Sequence, residues 1–241
     1  MASSTALVTA AVAGAAAGWG LRPAIARFAV PADQPWASAC RGCGTPLSWR
    51  SGPALSPRGR CSCGARPGAP ALVPEVLAAL AFTALVAVLG IGPALWPALW
   101  LATCGTALAV VDALVHRLPD PLTATTAVGT AVLLAMLSLT SHTAAPLLRA
   151  AVGAVVLGAL YLAMAIATPL GLGDAKLAPI IGAILAWYGW KVFVHGSAAA
   201  IFLVGLYAAV LLLVLRRGRR DDLSFGPFMI GGALLAIALD M

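Results

Sequence analysis

The feature that most restricts the fold of this chain is a succession of apolar runs, each about 17–25 residues long. An α-helix rises about 1.5 Å per residue, so a run of this length crosses the hydrocarbon core of a bilayer. Hydrophobic residues make up 61% of the 241 residues and charged residues only 10%, which excludes a water-soluble globular domain. Ala, Leu, Val and Gly dominate, which favours closely packed helices over a β-barrel. The sequence therefore predicts an all-α membrane protein.

Eight runs qualify as membrane-spanning helices by this criterion. They cover residues 5–27, 73–90, 94–113, 122–139, 147–167, 177–190, 192–215 and 225–239. We expect the break between the sixth and seventh helices within residues 191–197, and the last run is short for a full crossing. The runs divide the chain into a first transmembrane helix, a polar loop and a helical membrane domain, which cover residues 1–27, 28–72 and 73–241.

The basic residues predict the orientation in the membrane, because Lys and Arg concentrate in short cytoplasmic loops. If the N-terminus lies outside, thirteen of the fifteen Lys and Arg residues fall on the cytoplasmic side, and only Arg149 and Lys191 lie near the outer face. This arrangement explains the net charge of +7, so we expect lipid and no nucleic acid as a partner. Arg22 and Arg27 follow the first apolar run instead of preceding it, which indicates a retained helix rather than a signal peptide.

The polar loop contains four of the five cysteines, Cys40, Cys43, Cys61 and Cys63. The loop is too small and too polar to bury a hydrophobic core. Four thiolates suit a tetrahedral Zn²⁺, which would order such a segment, and the spacing is more typical of a metal site than of a disulfide framework. Free reduced thiols are the alternative. The second pair is a C-x-C, a tighter chelate than C-x-x-C, so we expect a strained or weaker site.

Two acidic residues, Asp112 and Asp174, lie at the predicted cytoplasmic ends of helices, at the same depth. Ionisable groups at such positions are functional candidates by default. Two carboxylates in one partly desolvated site share a proton, so that one can activate water while the other donates to a scissile carbonyl. The alternative is a pair of simple ion pairs, Asp112 with Arg117 and Asp174 with Lys176. Spacing alone does not decide between these interpretations.

Three segments resemble the bacterial type IV prepilin peptidases. They are the run 112–123 with its Leu-Pro-Asp turn, the run Gly-Leu-Gly-Asp-Ala-Lys-Leu at 171–177, and Ser-Phe-Gly-Pro-Phe at 224–228. Together with the cysteine loop and the helix count, the resemblance extends over nearly the whole chain. It implies that Asp112 and Asp174 form the catalytic pair of an intramembrane aspartyl protease. The implied substrates are type IV prepilins or pseudopilins, cleaved at the cytoplasmic face of the bacterial inner membrane.

The resemblance also implies further site residues and a second cofactor. Full-length members of this family generally N-methylate the new N-terminus with S-adenosylmethionine, and Glu75 is a candidate ligand for this methyl donor. Otherwise Glu75 is a helix N-terminal carboxylate that interacts with the macrodipole. The sequence shows no Gly-rich nucleotide-binding fingerprint. Gly171, Gly173 and Lys176 flank the second aspartate, and we expect them to position the substrate, with the glycines allowing close approach and unusual φ angles.

Three other classes of membrane protein are alternatives. Presenilin-like proteases share a Gly-x-Gly-Asp, but Val111 precedes the first aspartate where they have Tyr, and no Pro-Ala-Leu follows Asp174. An ion-coupled transporter that uses Asp112 and Asp174 would need inverted repeats and helices broken near mid-membrane. The sequence shows neither feature. A catalytically idle assembly factor is disfavoured by the two intact aspartates.

Overall fold

The protein forms a bundle of helices. A computed structural model of the chain describes residues 3–31, 33–48, 52–167, 171–213 and 224–240. The helices are α1 (Ser4–Phe28), α2 (Val73–Leu89), α3 (Leu95–Val115), α4 (Asp120–Ser141), α5 (Ala145–Ala167), α6 (Leu172–Tyr188), α7 (Trp190–Leu213) and α8 (Gly226–Asp240). Within these described ranges there is no β-strand, only an isolated bridge between Ala39 and Pro46. The prediction of an all-α protein is confirmed.

Among the described residues, five helices are long and apolar enough to cross a membrane, namely α1, α3, α4, α5 and α7. The prediction of eight spans exceeds this number, because α2 and α6 have 17 residues each and α8 has 15. Even so, α8 is about 22 Å long. It begins at Gly226, beside the Asp112 carboxylate, and ends at Asp240, beside Lys191 near the start of α7. We call these two ends of the bundle the aspartate end and the opposite end.

The break between α6 and α7 does not lie in residues 191–197, as predicted, but at Gly189 alone. Gly189 has a φ of +148°, and its N–H donates to the Leu185 carbonyl at 3.2 Å. Such a backbone conformation favours glycine, so a single residue reverses the chain. The polar side chains that suggested a loop lie instead at the surface of α7, where Lys191 and His195 both pair with Asp240 of α8.

The bundle has a central group of helices and a surrounding layer. Leu108 of α3, Leu177 of α6 and Ile237 of α8 are completely buried. Helices of the surrounding layer keep apolar side chains exposed, for example Val128 of α4 (64% exposed) and Val155 of α5 (70% exposed). Exposed apolar faces of this kind are expected where lipid surrounds a helix. The two aspartates lie on helices of the central group, Asp112 on α3 and Asp174 on α6.

The loop that joins α1 to α2 is attached to the aspartate end of the bundle. Arg117 Nη1 donates to the Pro31 carbonyl at 3.2 Å, and its guanidinium lies 4.1 Å from the centre of the Trp36 ring. Trp36 packs edge-on against Phe28 at 5.1 Å. A guanidinium over an indole ring is a favourable cation–π contact. Arg117 therefore anchors the loop and does not form the alternative ion pair with Asp112.

Candidate active site and metal centre

Asp112 lies in the last turn of α3, at the point where the helix ends. The next residues lead to His116, whose left-handed conformation (φ +51°) terminates the helix, with its N–H donating to the Asp112 carbonyl at 2.7 Å. The Asp112 residue is only 5% exposed. An aspartate at this position projects from the helix end towards the connecting segments, and it remains largely covered by them.

Asp174 lies in the first turn of α6 and is 7% exposed. The two aspartates line one cavity of about 430 Å³ at the aspartate end of the bundle. The structure thus brings together two carboxylates from α3 and α6 that the sequence separates by 62 positions (174 minus 112).

The Asp112 carboxylate is held by a segment that precedes and begins α8. Ser224 Oγ donates a short hydrogen bond to Asp112 Oδ2, and the Gly226 N–H donates to the same oxygen at 3.1 Å. A Cβ added to Gly226 would lie 2.8 Å from that oxygen, so only glycine permits this approach. Sequence reasoning identified the 224–228 segment but assigned no role to Ser224 or Gly226, because neither has a sequence neighbour that reveals the contact.

The alternative ion pair of Asp174 with Lys176 is not present. Lys176 Nζ instead contacts Asp120 Oδ1 at 2.6 Å, joining the first turn of α6 to the first turn of α4. Both side chains are more than half exposed, so this surface pair contributes at most about 1 kcal/mol to stability. Within the described part of the chain, the Asp174 carboxylate therefore faces the cavity without a cationic partner.

Three residues predicted to position the substrate, Gly171, Gly173 and Lys176, all line the 430 Å³ cavity. Gly173 lies in α6 and packs against Leu118, to whose Cβ an added methyl carbon would be only 3.1 Å away. Gly171 has φ −65° and ψ 133°, a conformation open to any residue. The close contact at Gly173 is with Leu118, so the expected close approach of a substrate stays a prediction, whereas the expected unusual φ is absent at both glycines.

The four loop cysteines come together in a second site. Their sulfur atoms all lie within 4.8 Å of one another, with Cys43 and Cys61 at 3.3 Å and Cys40 and Cys63 at 3.7 Å. Ligands of a tetrahedral ion with Zn–S bonds of about 2.3 Å are separated by roughly 3.8 Å. The donor set and its spacing therefore fit a tetrahedral metal ion, and the four thiols can hold one.

Two short turns explain how the C-x-C pair reaches this cluster. In the first turn the Gly44 N–H donates to the Cys40 carbonyl at 2.8 Å, and in the second the Gly64 N–H donates to the Cys61 carbonyl at 2.9 Å. Both glycines have a positive φ, which a tight turn requires. The second turn has one residue fewer than the first. The C-x-C spacing therefore shortens the turn, and the four sulfur atoms still lie close together.

The local hydrogen bonds favour a thiolate at Cys61 and a protonated thiol at Cys63. The backbone N–H of Cys63 and the thiol of Cys43 lower the pKa of Cys61 to about 6, whereas hydrogen bonds with the neighbouring thiols and burial raise the pKa of Cys63 to about 11. A thiolate at neutral pH is the form that binds a metal ion. Cys104 lies apart from the cluster, in α3, as expected for a residue of the bundle interior.

Glu75, the candidate ligand of a methyl donor, lies in the first turn of α2 and is 8% exposed. Its carboxylate forms a buried ion pair with Arg22 of α1, and Arg22 Nη1 also donates to the Ser56 carbonyl at 2.8 Å. The three residues join α1, α2 and the loop. The charge of Glu75 is thus paired with Arg22. Binding of S-adenosylmethionine by Glu75 stays a prediction.

Comparison with known proteins gives two matches. Residues 99–216 match the family described as the type IV leader peptidase family. A prepilin leader peptidase/N-methyltransferase from Pectobacterium carotovorum subsp. carotovorum is 32% identical over 177 residues, which are 69% of this chain and 59% of the relative. The matched part is thus less than two thirds of the relative's length. No solved structure matches the chain significantly. The family match contains Asp112 and Asp174 but ends before Ser224.

Proposed function

We propose that the chain, which matches the type IV leader peptidase family over residues 99–216, is an aspartic-type prepilin leader peptidase. Its substrates are the N-terminal leaders of type IV prepilins or pseudopilins. The observation that carries the proposal is the placement of two buried carboxylates, Asp112 and Asp174, on one cavity at the aspartate end of the bundle. A peptide segment can enter this cavity from the end of the bundle.

The two aspartates differ in their surroundings, and the difference assigns their roles. Asp112 accepts two hydrogen bonds, from Ser224 Oγ and the Gly226 N–H, and each hydrogen bond to a charged group is worth about 1.5–3 kcal/mol. Asp174 lies at the positive end of the α6 dipole, which is worth only about 0.3–1 kcal/mol. The hydrogen bonds are the larger effect, so negative charge resides on Asp112 and the shared proton on Asp174.

The reaction then follows general acid–base catalysis of peptide hydrolysis. A water molecule between the carboxylates transfers a proton to Asp112 as its oxygen attacks the scissile carbonyl carbon. The protonated Asp174 donates a hydrogen bond to the carbonyl oxygen, which becomes negatively charged. The proton held by Asp112 passes to the leaving amine as the C–N bond breaks, and Asp174 retains its proton for the next cycle.

We assign the protein to the bacterial inner membrane, with the aspartate end facing the cytoplasm and the N-terminus outside. Arg149 and Lys191, the two basic residues predicted outside, both lie at the opposite end of the bundle. The basic cluster at 216–220 falls outside the described residues. Labelling of single cysteines in a protein free of native thiols tests this topology. Labelling at position 142 from the cytoplasmic side would contradict it.

We assign zinc to the four-cysteine cluster, where it has a structural function. The loop contains little apolar surface, and a metal ion that cross-links its two turns would supply the missing folding energy. Cys40, Cys43, Cys61 and Cys63 would hold the ion. The cluster belongs to the loop and not to the aspartate cavity, so zinc takes no part in the cleavage steps.

N-methylation of the new N-terminus is a second proposed activity, and its support is the name of the Pectobacterium relative. S-adenosylmethionine would supply the methyl group. The carboxylate of Glu75 is paired with Arg22. Transfer of a labelled methyl group to the cleaved substrate by purified protein is the measurement that tests this activity. Absence of label on a fully cleaved product would exclude it.

Cleavage of a prepilin in membranes that contain the wild-type protein tests the principal proposal. We expect cleavage by the wild type and cleavage lower by roughly 10²–10⁴-fold in Asp112→Asn or Asp174→Asn, because each variant loses a proton carrier but keeps its size and polarity. A transporter would give proton or cation flux without cleavage. Wild-type protein that inserts normally but leaves the prepilin intact would overturn the assignment.

A further inference from the structure

Leu118 lies in the segment 116–119 that joins α3 to α4, and its side chain is placed between the starts of two other helices. A Cβ added at Gly173 of α6 would lie 3.4 Å from Leu118 Cδ1, and a Cβ added at Gly226 of α8 would lie 3.6 Å from Leu118 Cδ2. Leu118 is 8% exposed and lines the aspartate cavity. One methyl group of this buried side chain thus faces each helix, and the leucine separates the first turns of α6 and α8.

The two helix starts that Leu118 separates are those that place the two carboxylates. Gly173 immediately precedes Asp174 in the first turn of α6, so the position of this turn fixes Asp174. The Gly226 N–H donates to Asp112 Oδ2 at 3.1 Å, so the start of α8 holds Asp112. The width of the gap that Leu118 fills therefore determines how far apart the two carboxylates lie.

A side chain acts as a spacer only if its own backbone is held, and the backbone is held on both sides of Leu118. Before it, the His116 N–H donates to the carbonyl four residues earlier at 2.7 Å, and Arg117 is anchored to the cysteine loop. After it, the Pro119 carbonyl accepts from the Thr123 N–H at 3.0 Å and from Thr123 Oγ1 at 3.1 Å. The segment thus presents the leucine side chain from a fixed position.

We propose that Leu118 is a positioning residue of the aspartate pair, which keeps the starts of α6 and α8 apart and thereby sets the separation of the Asp112 and Asp174 carboxylates. The inference rests on the proposed peptidase function. Catalytic groups tolerate little displacement, because the attacking water and the scissile carbonyl must both lie within reach of the pair. The repulsion that keeps one proton on two carboxylates also depends on the distance between them.

Two single substitutions change the gap in opposite directions. Leu118→Ala removes the branched end of the spacer, so that the starts of α6 and α8 approach each other. Gly173→Ala adds a carbon 3.1 Å from Leu118 Cβ and forces them apart. We expect kcat for prepilin cleavage to fall by about ten-fold or more in each variant, with KM within about two-fold of the wild type. Leu118→Met conserves the apolar volume and should retain most of the activity.

The pH dependence of kcat/KM distinguishes a change of spacing from a general loss of structure. The two limbs of a bell-shaped profile report the macroscopic pKa values of the pair, and these values move apart as two carboxylates approach. Leu118→Ala should therefore widen the bell and Gly173→Ala should narrow it, by about half a pH unit for a displacement of roughly 1 Å. The double variant should lie between the two single ones.

The other ionisable side chains around the pair are unchanged in these variants. They are His116, Arg117, Asp120 and Lys176 on the cavity, and Tyr161 of α5, which packs against Phe225 of the cavity wall. A change in the width of the bell therefore reports the aspartate pair itself.

Two substitutions outside the cavity are matched controls. Leu85→Ala makes the same truncation at a leucine of α2 that is 1% exposed, and Gly158→Ala adds a carbon 3.3 Å from Pro179 Cβ. Neither Leu85 nor Gly158 is among the described residues that line the aspartate cavity. Whatever their thermal stability, both variants should keep the kcat and the pH profile of the wild type at equal amounts of inserted protein.

Three results would overturn the assignment of Leu118 as a spacer. They are a higher KM at unchanged kcat, which is the result for a residue that only contacts the substrate, an unchanged pH profile, and bells that change in the same direction in Leu118→Ala and Gly173→Ala. If Leu118→Ala does not insert, the width of the bell in Gly173→Ala alone decides.

Failure of the spacer and failure of the peptidase assignment are distinguishable. If Leu118 does not set the separation, the wild type still cleaves the prepilin and Asp112→Asn is still impaired. If the protein is not a peptidase, the wild type leaves the prepilin intact, and the inference about Leu118 falls with the proposed function.

Discussion

Ser224 donates a hydrogen bond to the carboxylate of Asp112, although 112 positions separate the two residues in the sequence. The bond joins the last turn of α3 to the segment that begins α8, and it holds the oxygen that also accepts the Gly226 N–H. One carboxylate of the pair is thereby fixed in position. The other, on Asp174, is placed by a different helix.

Ser224→Ala removes a hydrogen bond to a charged group and leaves the helices unchanged. We expect cleavage to fall by about 10- to 100-fold, which corresponds to a loss of roughly 1.5–3 kcal/mol. Ser224→Thr keeps the hydroxyl and should restore most of the activity. The measurement is the cleavage rate of a prepilin at equal amounts of inserted protein. Equal rates for Ser224→Ala and the wild type would show that the bond has no role in positioning Asp112.

Gly226→Ala places a methyl group 2.8 Å from Asp112 Oδ2, so either the carboxylate or the start of α8 must move. We expect cleavage to fall by about ten-fold or more, because catalytic groups tolerate little displacement. Gly231→Ala on the same helix is the matched control, since nothing lies within 4 Å of the added carbon. Comparable cleavage rates for the two variants would show that the close contact between Gly226 and the Asp112 carboxylate is not needed for catalysis.

The two aspartates should behave as one unit. Asp112→Asn and Asp174→Asn should each lower cleavage by roughly 10²–10⁴-fold, and the double variant should be little worse than either single one. Asp120, which pairs with Lys176 at the surface, provides the control, and Asp120→Asn should cost far less. Single-turnover cleavage rates of the wild type, the two single variants and the double variant measure this coupling. Effects that multiply in the double variant would indicate two independent roles.

Replacement of Cys40 and Cys43 by Ser should abolish metal binding and expose residues 28–72 to proteolysis, while the helices stay inserted. Cys104→Ser, in α3 and outside the cluster, should keep the zinc content of the wild type. Metal analysis of purified protein should give about one zinc per chain. A content far below this, with proteolysis of the loop unaffected by a chelator, would exclude a structural zinc site.

The contact between α1 and α2 depends on Gly18, where an added Cβ would lie 2.6 Å from the Glu75 Cα. Gly18→Ala forces the two backbones apart and should destabilise the protein by about 1–3 kcal/mol. Gly20→Ala meets nothing within 4 Å and should leave stability unchanged or slightly improved. Thermal denaturation in detergent compares the two variants. Equal unfolding midpoint temperatures for the two variants would show that α1 and α2 can move apart without loss of stability.

The sequence by itself determined the class of the fold and most helix positions. It also identified the candidate catalytic aspartates and the candidate metal-binding cysteines. Apolar runs of membrane-spanning length are a local property of the chain, so their positions follow from hydropathy alone. The helices begin and end within two residues of the prediction, except that α6 begins at Leu172 and not at residue 177, and Gly189 alone replaces the expected loop. Asp112, Asp174 and the four cysteines were identifiable because charges and thiol pairs are exceptional in such a composition.

Only the tertiary structure decided which of these groups meet. Lys176 lies two residues from Asp174 but pairs with Asp120, and Arg117 anchors the loop at Pro31 instead of pairing with Asp112. Ser224 reaches Asp112 because α8 packs against α3. Such contacts depend on how helices that are distant in the sequence pack against each other. Hydropathy and residue spacing along the chain do not determine that packing.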